Sequence, residues 1–329
     1  MPRAAVVIPT RNEEQSIARV IAEIRSGFVG TRYNDIDIVL ADDSSDRTRR
    51  VARELGATVV PGGGEGLGVA MYRGLKAAAR LAPDVIVAVD GDGQADAVAE
   101  IRRFLAPLER DEADLVIGSR FLDHGLVKYP YRWINRFGTR ILSAFLRAQT
   151  GLPLTDSHGG IRAMRPEVAA DLDLLGTQTY VQESILDAVE KGYRVTEIAS
   201  VWRKREHGTS RVVGSIPKYI LYTLPVLILR SGQHLRLLYS TGLLSIVAGV
   251  LYFVIILAQE GLNIGSRVPG LLLVALLVMS GLQLFFFGFV LQLLKQIKRN
   301  VDRNESLTRR IVPLSESTLE AVPLREVVE

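Results

Sequence analysis

An acidic triplet, Asp90-Gly91-Asp92, ends the apolar run VIVAVD (85–90), and Gly93 and Gln94 follow it. The run is β-branched and unbroken, as in a parallel strand covered on both faces. Successive strand side chains alternate, so Asp90 and Asp92 are expected to point the same way. Two like charges on one side repel unless a cation lies between them. Hard oxygen ligands with room left for phosphate oxygens describe a Mg²⁺ or Mn²⁺ site. The same residues also read as an Asp-Gly turn closing a strand, with Asp92 capping the next helix. The triplet alone supports both readings.

The elements around the triplet supply context. Residues 4–9 (AAVVIP) read as a buried strand, and Asn12 is placed to cap a helix carrying Ile17, Val20, Ile21 and Ile24 at i, i+3, i+4, i+7. A second strand at 36–41 ends at Asp42-Asp43-Ser44-Ser45, and a short strand falls near 57–60. A glycine-rich loop, Gly62 to Gly68, opens a helix at 67–82, the strand at 85–90 precedes a helix at 97–108, and 114–118 gives a further strand. This βαβα alternation predicts an α/β domain with a mostly parallel sheet. Such sheets carry function beyond the carboxyl ends of their strands. The polar clusters fall there: Arg11 to Glu13, Asp42-Asp43, Asp90 to Gln94 and Ser119-Arg120. Past 120 the alternation stops. Residues 131–150 read as a basic amphipathic helix in which Arg136 and Arg140 share a face, either a solvated face or a phosphate clamp. Residues 193–202 suggest a late strand and 203–213 a basic loop.

The chain has 329 residues with 48% apolar content, enough for a sizeable core. Segments 237–258 and 269–294 contain no Asp, Glu, Lys or Arg, and each exceeds the roughly 20 residues that cross a bilayer as a helix. The intervening QEGLNIGSRV carries one acid and one base, whereas 202–236 has seven Lys/Arg against one acid and 295–310 has six against two. The positive-inside rule places both outer flanks, and so both termini, in the cytoplasm of a multi-pass membrane protein. The basic balance, net +4 with a pI near 9.3, then reflects attraction to anionic lipid, and nucleic acid is not expected as a partner. No amino-terminal signal sequence is expected, since Arg11, Glu13 and Glu14 interrupt the first apolar stretch. The absence of cysteine excludes disulfides and Cys-ligated zinc.

Taken together, the stretches VVIPTRNEE (6–14), ADDSSDRT (41–48), GLGVAMYRG (66–74), VDGDGQ (89–94), GSRF (118–121), TDSHGGIRAMRPE (155–167), QES (182–184) and REHGTSR (205–211) resemble polyprenyl-phosphate glycosyltransferases of the dolichyl-phosphate mannose synthase type, within inverting glycosyltransferase family 2. The resemblance implies a GT-A type nucleotide-sugar-binding domain at 1–211, juxtamembrane helices at 212–236, transmembrane helices at 237–258 and 269–294, and a cytoplasmic tail at 295–329. It implies transfer of a sugar from a GDP- or UDP-linked donor to a polyprenyl phosphate, dolichyl or undecaprenyl, at the cytoplasmic face. Pro9, Arg11 and Glu13 would line the nucleotide pocket and Asp42 would hold base or ribose. Asp90, Gly91, Asp92 and Gln94 would surround Mg²⁺ or Mn²⁺ and the donor diphosphate. Arg205 and Arg211 would close over the donor, and Arg120, Arg136 and Arg140 would hold the acceptor phosphate. Asp156 and Glu183 are candidate catalytic carboxylates, or orienters of a neighbouring arginine. The membrane helices offer a surface for homo-oligomerisation.

The chain departs from the family pattern at His158, Gly159 and Ile161, at Arg211 in place of a common Lys, and after Gln94, where the usual His-Pro is missing. Other functions fit less well. GGGEGLG (62–68) lacks the Gly-Lys-Ser/Thr ending of a P-loop. PTRNEE stands where a dinucleotide-binding enzyme needs its glycine fingerprint. A polysaccharide synthase would carry Gln-x-x-Arg-Trp, but Tyr129 sits where Gln belongs before Arg132-Trp133. A membrane scaffold with a degenerate transferase domain is the non-enzyme reading, and the intact acidic and arginine residues speak against it.

Overall fold

The structure is a computed structural model that describes residues 1–127, 133–174, 176–178, 180–206, 223, 225–227, 230, 233–261 and 267–311. Arg211, most of the expected juxtamembrane stretch and residues 312–329 lie outside the described residues. The chain divides into two compact units, Met1–Ser231 and Gly232–Glu329.

In the first unit, strands β1 (Arg3–Thr10), β2 (Asp35–Asp42), β3 (Thr58–Pro61), β4 (Val85–Ala88), β5 (Leu115–Ser119), β6 (Arg162–Met164) and β7 (Val195–Ala199) form one sheet in the order β3-β2-β1-β4-β6-β5-β7. Every pairing is parallel except those of β6, which runs antiparallel to both β4 and β5. Helices α1 (Ile17–Phe28), α2 (Thr48–Glu54), α3 (Leu67–Arg80), α4 (Ala97–Glu109), α5 (Trp133–Thr150), α6 (Pro166–Asp171) and α7 (Val181–Glu190) complete the layers. β1 shows why the sheet is buried on both sides. Ala4, Val6 and Ile8 pack with Ile21, Ile24 and Phe104, while Ala5 and Val7 pack with Met71, Leu75 and Ile185.

The strand order reverses between β1 and β4. The chain walks outward from β1 through β2 to β3, then returns to place β4 on the other side of β1. That reversal opens a crevice at the carboxyl ends of β1 and β4, the general place for ligands in such sheets. The sequence-expected strands and helices through 119 are all present with ends shifted by a few residues. β6 and α7 were not legible. β6 is three residues long, too short to show a period. α7 carries Val181, Ile185 and Ala188 at i, i+4, i+7, but it is only ten residues long and also buries Gln182, Glu183, Ser184 and Asp187, polar positions that read from sequence as an exposed face. The helix caps also differ. Ser16, not Asn12, precedes α1, and Asp96, not Asp92, caps α4 by accepting from the Ala99 N–H at 3.2 Å. Asn12 instead adopts a left-handed φ of 57°, and its Oδ1 accepts from the Ser45 N–H at 2.8 Å, tying the β1 and β2 ends together.

In the second unit, α8 (Gln233–Glu260) and α9 (Val268–Ile311) contain two stretches, Leu235–Gln259 and Val268–Leu294, that are long and apolar enough to cross a membrane. They pack antiparallel. Gly281 lies so close to α8 that a Cβ there would stand 2.7 Å from the Gly242 carbonyl oxygen. Ser245 donates to the Leu277 carbonyl at 2.8 Å and Tyr239 to Gln292 at 3.1 Å. Small residues and side-chain hydrogen bonds at a helix interface are what association inside lipid requires. The helix continues well past 294, so the basic stretch expected as the start of a tail is helical through Ile311.

The departure at Gly159 has a packing reason. A Cβ on Gly159 would stand 1.7 Å from the Gly118 carbonyl oxygen, which is backbone and cannot yield. Gly159→Ala is therefore expected to cost about 2 kcal/mol or more of stability, read as a lowered midpoint of thermal unfolding. An unchanged midpoint would contradict the packing described.

Candidate active site

The acidic triplet lies just beyond β4, in a turn, and not on the strand. Strand alternation is thus not what brings its carboxylates together. The turn does so, with Gly93 at φ 70°. Gly91 packs on the end of β1, where a Cβ would meet Thr10 Cγ2 at 2.6 Å, and its carbonyl accepts from Ser16 Oγ at 2.8 Å. Glycine is needed here for close approach, and the approach fixes the triplet against α1.

Burial and the neighbouring Asp92 push the Asp90 carboxyl up to about 7, against the pull of Arg162, Arg205 and Arg120. Burial also raises Asp92, with the Gln94 N–H and Arg205 opposing it. Two carboxylates that each resist ionisation form a donor set that a cation would relieve. Among the described residues no group of three or more His, Cys, Asp or Glu comes together. A cation held by Asp90 and Asp92 alone would leave its further positions to water or phosphate oxygens, as Mg²⁺ or Mn²⁺ allows. Gln94 stands beside them, but its backbone N–H donates to Asp92 Oδ1 at 3.0 Å and its side chain donates to the Arg203 carbonyl at 3.4 Å.

A cation of the protein's own stands at this place. Arg205 donates through Nη2 to Glu13 Oε1 and lies 3.6 Å from Asp92 Oδ2. Burial raises the Glu13 carboxyl, with Arg205 working against it. Arg205 is delivered by an improvised pairing. Trp202 bridges to Ala95, and the Arg203 N–H donates to the Gln94 carbonyl at 2.8 Å. Arg203 pairs with Glu23 at 2.8 Å and Asp96 at 2.6 Å, and Arg19 with Glu206 at 2.6 Å, anchoring this segment to α1. Arg203 and Glu23 were not singled out in the sequence, because a partner 180 positions away leaves no local pattern.

On the β1–β2 side, Pro9 is buried within β1 and Arg11 is exposed beyond it. Asp42 accepts from Thr10 Oγ1 at 2.8 Å, Ser44 Oγ at 2.5 Å and Arg49 Nε at 3.0 Å. Its neighbour Asp43 accepts from the Gly64 N–H at 2.9 Å, joining the glycine-rich loop to the same rim.

Across the crevice, Arg120 forms a two-pronged ion pair with Asp156, at 2.6 and 2.9 Å, beneath the Trp202 ring at 4.9 Å. Burial would raise Asp156, but the charge and hydrogen bonds of Arg120 win and hold its carboxyl below the usual carboxylate range. Gly160 packs on Asp90: a Cβ there would stand 2.2 Å from Asp90 Oδ2. Behind Asp90 sits a fully buried cation, Arg162, which donates to Ser184 Oγ and to the Val181 carbonyl at 2.8 Å. α5 is pinned to this wall by Ser143 Oγ, which accepts from the Ser157 N–H at 3.0 Å, and by Thr139 facing His158. Arg136 lies on the same stripe as Thr139 and Ser143, and its Nε is buried with no partner among the described residues. Arg140 is exposed. Glu183, on α7, accepts from the Gly176 N–H at 2.8 Å and from Arg230 Nε at 2.7 Å.

Comparison with known proteins agrees with this geometry. Glycosyl transferase family 2 matches residues 5–173, and the chain belongs to that family; it is an enzyme, a glycosyltransferase. An uncharacterized glycosyltransferase of Mycobacterium tuberculosis is 33% identical over 212 residues, which are 64% of this chain and 90% of that one. A dolichyl-phosphate hexose transferase of Haloferax volcanii is 32% identical over 203 residues, 61% of this chain and 83% of that one. Among solved structures, glucosyl-3-phosphoglycerate synthase from M. tuberculosis, in complex with Mn²⁺, UDP and glucosyl-3-phosphoglycerate, superposes with a TM-score of 0.54 at 21% identity, covering 70% of this chain and 80% of that one. The likeness establishes a GT-A-like α/β fold. The family membership supports an enzyme over the scaffold reading.

His158 gives a test of the wall. Burial and Arg120 press its imidazolium down to about 4, against Asp156. The folded protein thus keeps His158 neutral at pH values where the unfolded chain, with a pKa near 6.5, takes up a proton. The stability this provides is complete above about 6.5 and is lost as pH falls toward 4, amounting to about 2–3 kcal/mol. Denaturant unfolding at pH 7 and pH 4.5 should show His158→Gln losing less stability than the parent by that amount. Parallel losses would contradict a buried, neutral His158.

Proposed function

We propose that this enzyme transfers a sugar from a GDP- or UDP-linked donor to a polyprenyl phosphate at the cytoplasmic face of a membrane, in a metal-dependent, inverting reaction of the dolichyl-phosphate mannose synthase type. The observation that carries the reading is the crevice itself. A carboxylate pair that needs a cation faces, across Gly160, a wall bearing arginines.

Asp90 and Asp92, with Gln94 beside them, would hold the divalent metal. When bound, it acts as a Lewis acid toward the negative charge that builds on the departing diphosphate. Mn²⁺ and UDP in the solved structure of the phosphoglycerate-directed relative support such a donor site. Pro9, Arg11 and Glu13 line the nucleotide pocket, with Asp42 setting the shape of its base or ribose end. Arg205, which pairs with Glu13 and lies near Asp92, would add charge-assisted hydrogen bonds to the diphosphate, joined by Arg211.

The acceptor phosphate needs no base. Its second pKa is about 6, so it is largely ionised at neutral pH. This accords with Asp156 and Glu183, whose oxygens are engaged with Arg120, His158, Gly176 and Arg230. Asp156 orients Arg120, which with Arg136 and Arg140 offsets the repulsion between acceptor and donor phosphates. Inversion follows from a single in-line displacement. The lipid acceptor is supported by the dolichyl-phosphate hexose transferase among the relatives and by the two apolar helices with basic flanks. Residues 1–211 form the catalytic domain, 212–236 the juxtamembrane stretch, and the helices beyond tether it, pairing between copies where the enzyme self-associates. Confinement to the bilayer surface raises the effective concentration of a lipid acceptor.

Two outcomes test this reading. Asp92→Asn should reduce transfer by about 10²-fold or more while the thermal midpoint holds, and EDTA should do the same to the parent enzyme. Full activity in EDTA would exclude the metal role. Arg136→Ala should raise the KM for polyprenyl phosphate by roughly tenfold, the loss of one charge-assisted contact, with the donor KM unchanged. An effect on the donor alone would move Arg136 to the other side of the site.

A further inference from the structure

Arg203 stands two residues before Arg205 on the segment that leaves β7. Its guanidinium is forked between two helices. Nη1 donates to Glu23 Oε1 of α1 at 2.8 Å, and Nη2 lies 2.6 Å from Asp96 Oδ1 at the start of α4. Its backbone is held as well. The Arg203 N–H donates to the Gln94 carbonyl at 2.8 Å, and the Arg203 carbonyl accepts from Gln94 Nε2 at 3.4 Å. Arg19 extends the arrangement: it lies 3.9 Å from Glu23 Oε1 and donates to Glu206 Oε2 at 2.6 Å.

Both helices that receive Arg203 are fixed to the acidic triplet. α1 and α4 pack closely, so that a Cβ on Gly27 would stand 2.5 Å from the Ala97 carbonyl oxygen. Ser16, at the head of α1, donates to the Gly91 carbonyl. Asp96 follows Asp92 by four residues, and its Oδ1 also caps α4. The contacts close a ring. The Gln94 N–H donates to Asp92 Oδ1 at 3.0 Å, the Gln94 carbonyl accepts from Arg203, and Arg205 returns to within 3.6 Å of Asp92 Oδ2. An isolated exposed ion pair would hold little. Here one guanidinium joins part-buried carboxylates on two packed helices, and hydrogen bonds to Gln94 reinforce it.

We infer that Arg203 is a positioning residue: it anchors the backbone that carries Arg205 to α1 and α4, and so sets where the Arg205 guanidinium meets the β-phosphate of a donor nucleotide. A guanidinium contact depends on orientation as much as on charge, so an anchor two residues away matters to it. The binding part of this inference rests on the reading of Arg205 as a contact to the donor diphosphate; the anchor itself does not.

The test titrates the full chain in detergent micelles, with Mn²⁺ present, with UDP and GDP and with UMP and GMP, which lack the β-phosphate. For the diphosphate that the parent binds, Arg205→Ala should raise the Kd roughly tenfold, the loss of a charge-assisted contact. Arg203→Gln should raise it by roughly fivefold, and the two together by no more than about twofold beyond Arg205→Ala alone, since one acts through the other. The matching monophosphate should bind Arg203→Gln within about twofold of the parent. Asp96→Asn keeps a capping residue and removes one carboxylate; it should weaken the diphosphate in the same direction, and it serves where Arg203→Gln fails to fold. Equal weakening of mono- and diphosphate, or losses that add in the double variant, would overturn the positioning role. The anchor has its own readout. Trp202 is buried and is one of two tryptophans in the chain, so in a Trp133→Phe background its fluorescence reports on the residue next to Arg203. Arg203→Gln, or Asp96→Asn in its place, should raise acrylamide quenching of Trp202 roughly twofold or more as the segment loosens; unchanged quenching would overturn the anchor. Should the parent bind no nucleotide, or Arg205→Ala bind the diphosphate as the parent does, the donor reading of Arg205 fails while the quenching still decides the anchor.

Discussion

The site depends on one electrostatic constraint: Asp90 and Asp92 are held close together in a crevice that disfavours their charge. Burial and mutual repulsion raise both, and the fold answers with cations on every side. Arg162 lies behind, Arg120 across, and Arg205 in front. None of these is a free surface charge. Arg162 is fully buried, Arg120 is locked by Asp156, and Arg205 is shared between Glu13 and Asp92. Such an arrangement compensates the charge of the pair without any of these arginines being free to leave its own partners.

The backbone makes that constraint possible. Gly91 lets the triplet press on the end of β1, Gly160 lets the opposite wall press on Asp90, and Gly159 lets that wall press on β5. Any side chain at these three places would separate the two sides of the site. The topological reversal between β1 and β4 supplies the opening, and the antiparallel β6 carries Arg162 and the glycines before it into that opening from below.

How far the sequence revealed this follows from the range of each interaction. The strands β1 to β5 and their helices were legible, because apolar periodicity is local. The acidic triplet was legible as a metal-binding candidate, but its carboxylates meet in a turn beyond β4, where strand alternation does not apply. The partners were not legible. Asp156 reads as a candidate base until its ion pair with Arg120 is seen, and Glu183 likewise until Arg230 is found against it. Arg203 to Glu23 and Arg230 to Asp187 join residues far apart in sequence, and no pattern in either neighbourhood announces them. α7 escaped because it is short and its buried polar residues, Gln182, Glu183, Ser184 and Asp187, read as a solvated face beside the Val181, Ile185 and Ala188 stripe.

The central claim is that the crevice joins a metal-bound nucleotide sugar to a lipid phosphate. The most direct measurement offers the full-length enzyme a panel of radiolabelled UDP- and GDP-sugars with Mg²⁺ or Mn²⁺, and a short polyprenyl phosphate beside a water-soluble phosphorylated acceptor such as phosphoglycerate. The account predicts label from one donor passing into the lipid product only, and none when the metal is chelated. Label in the water-soluble product alone, or lipid product formed equally well without metal, would contradict it.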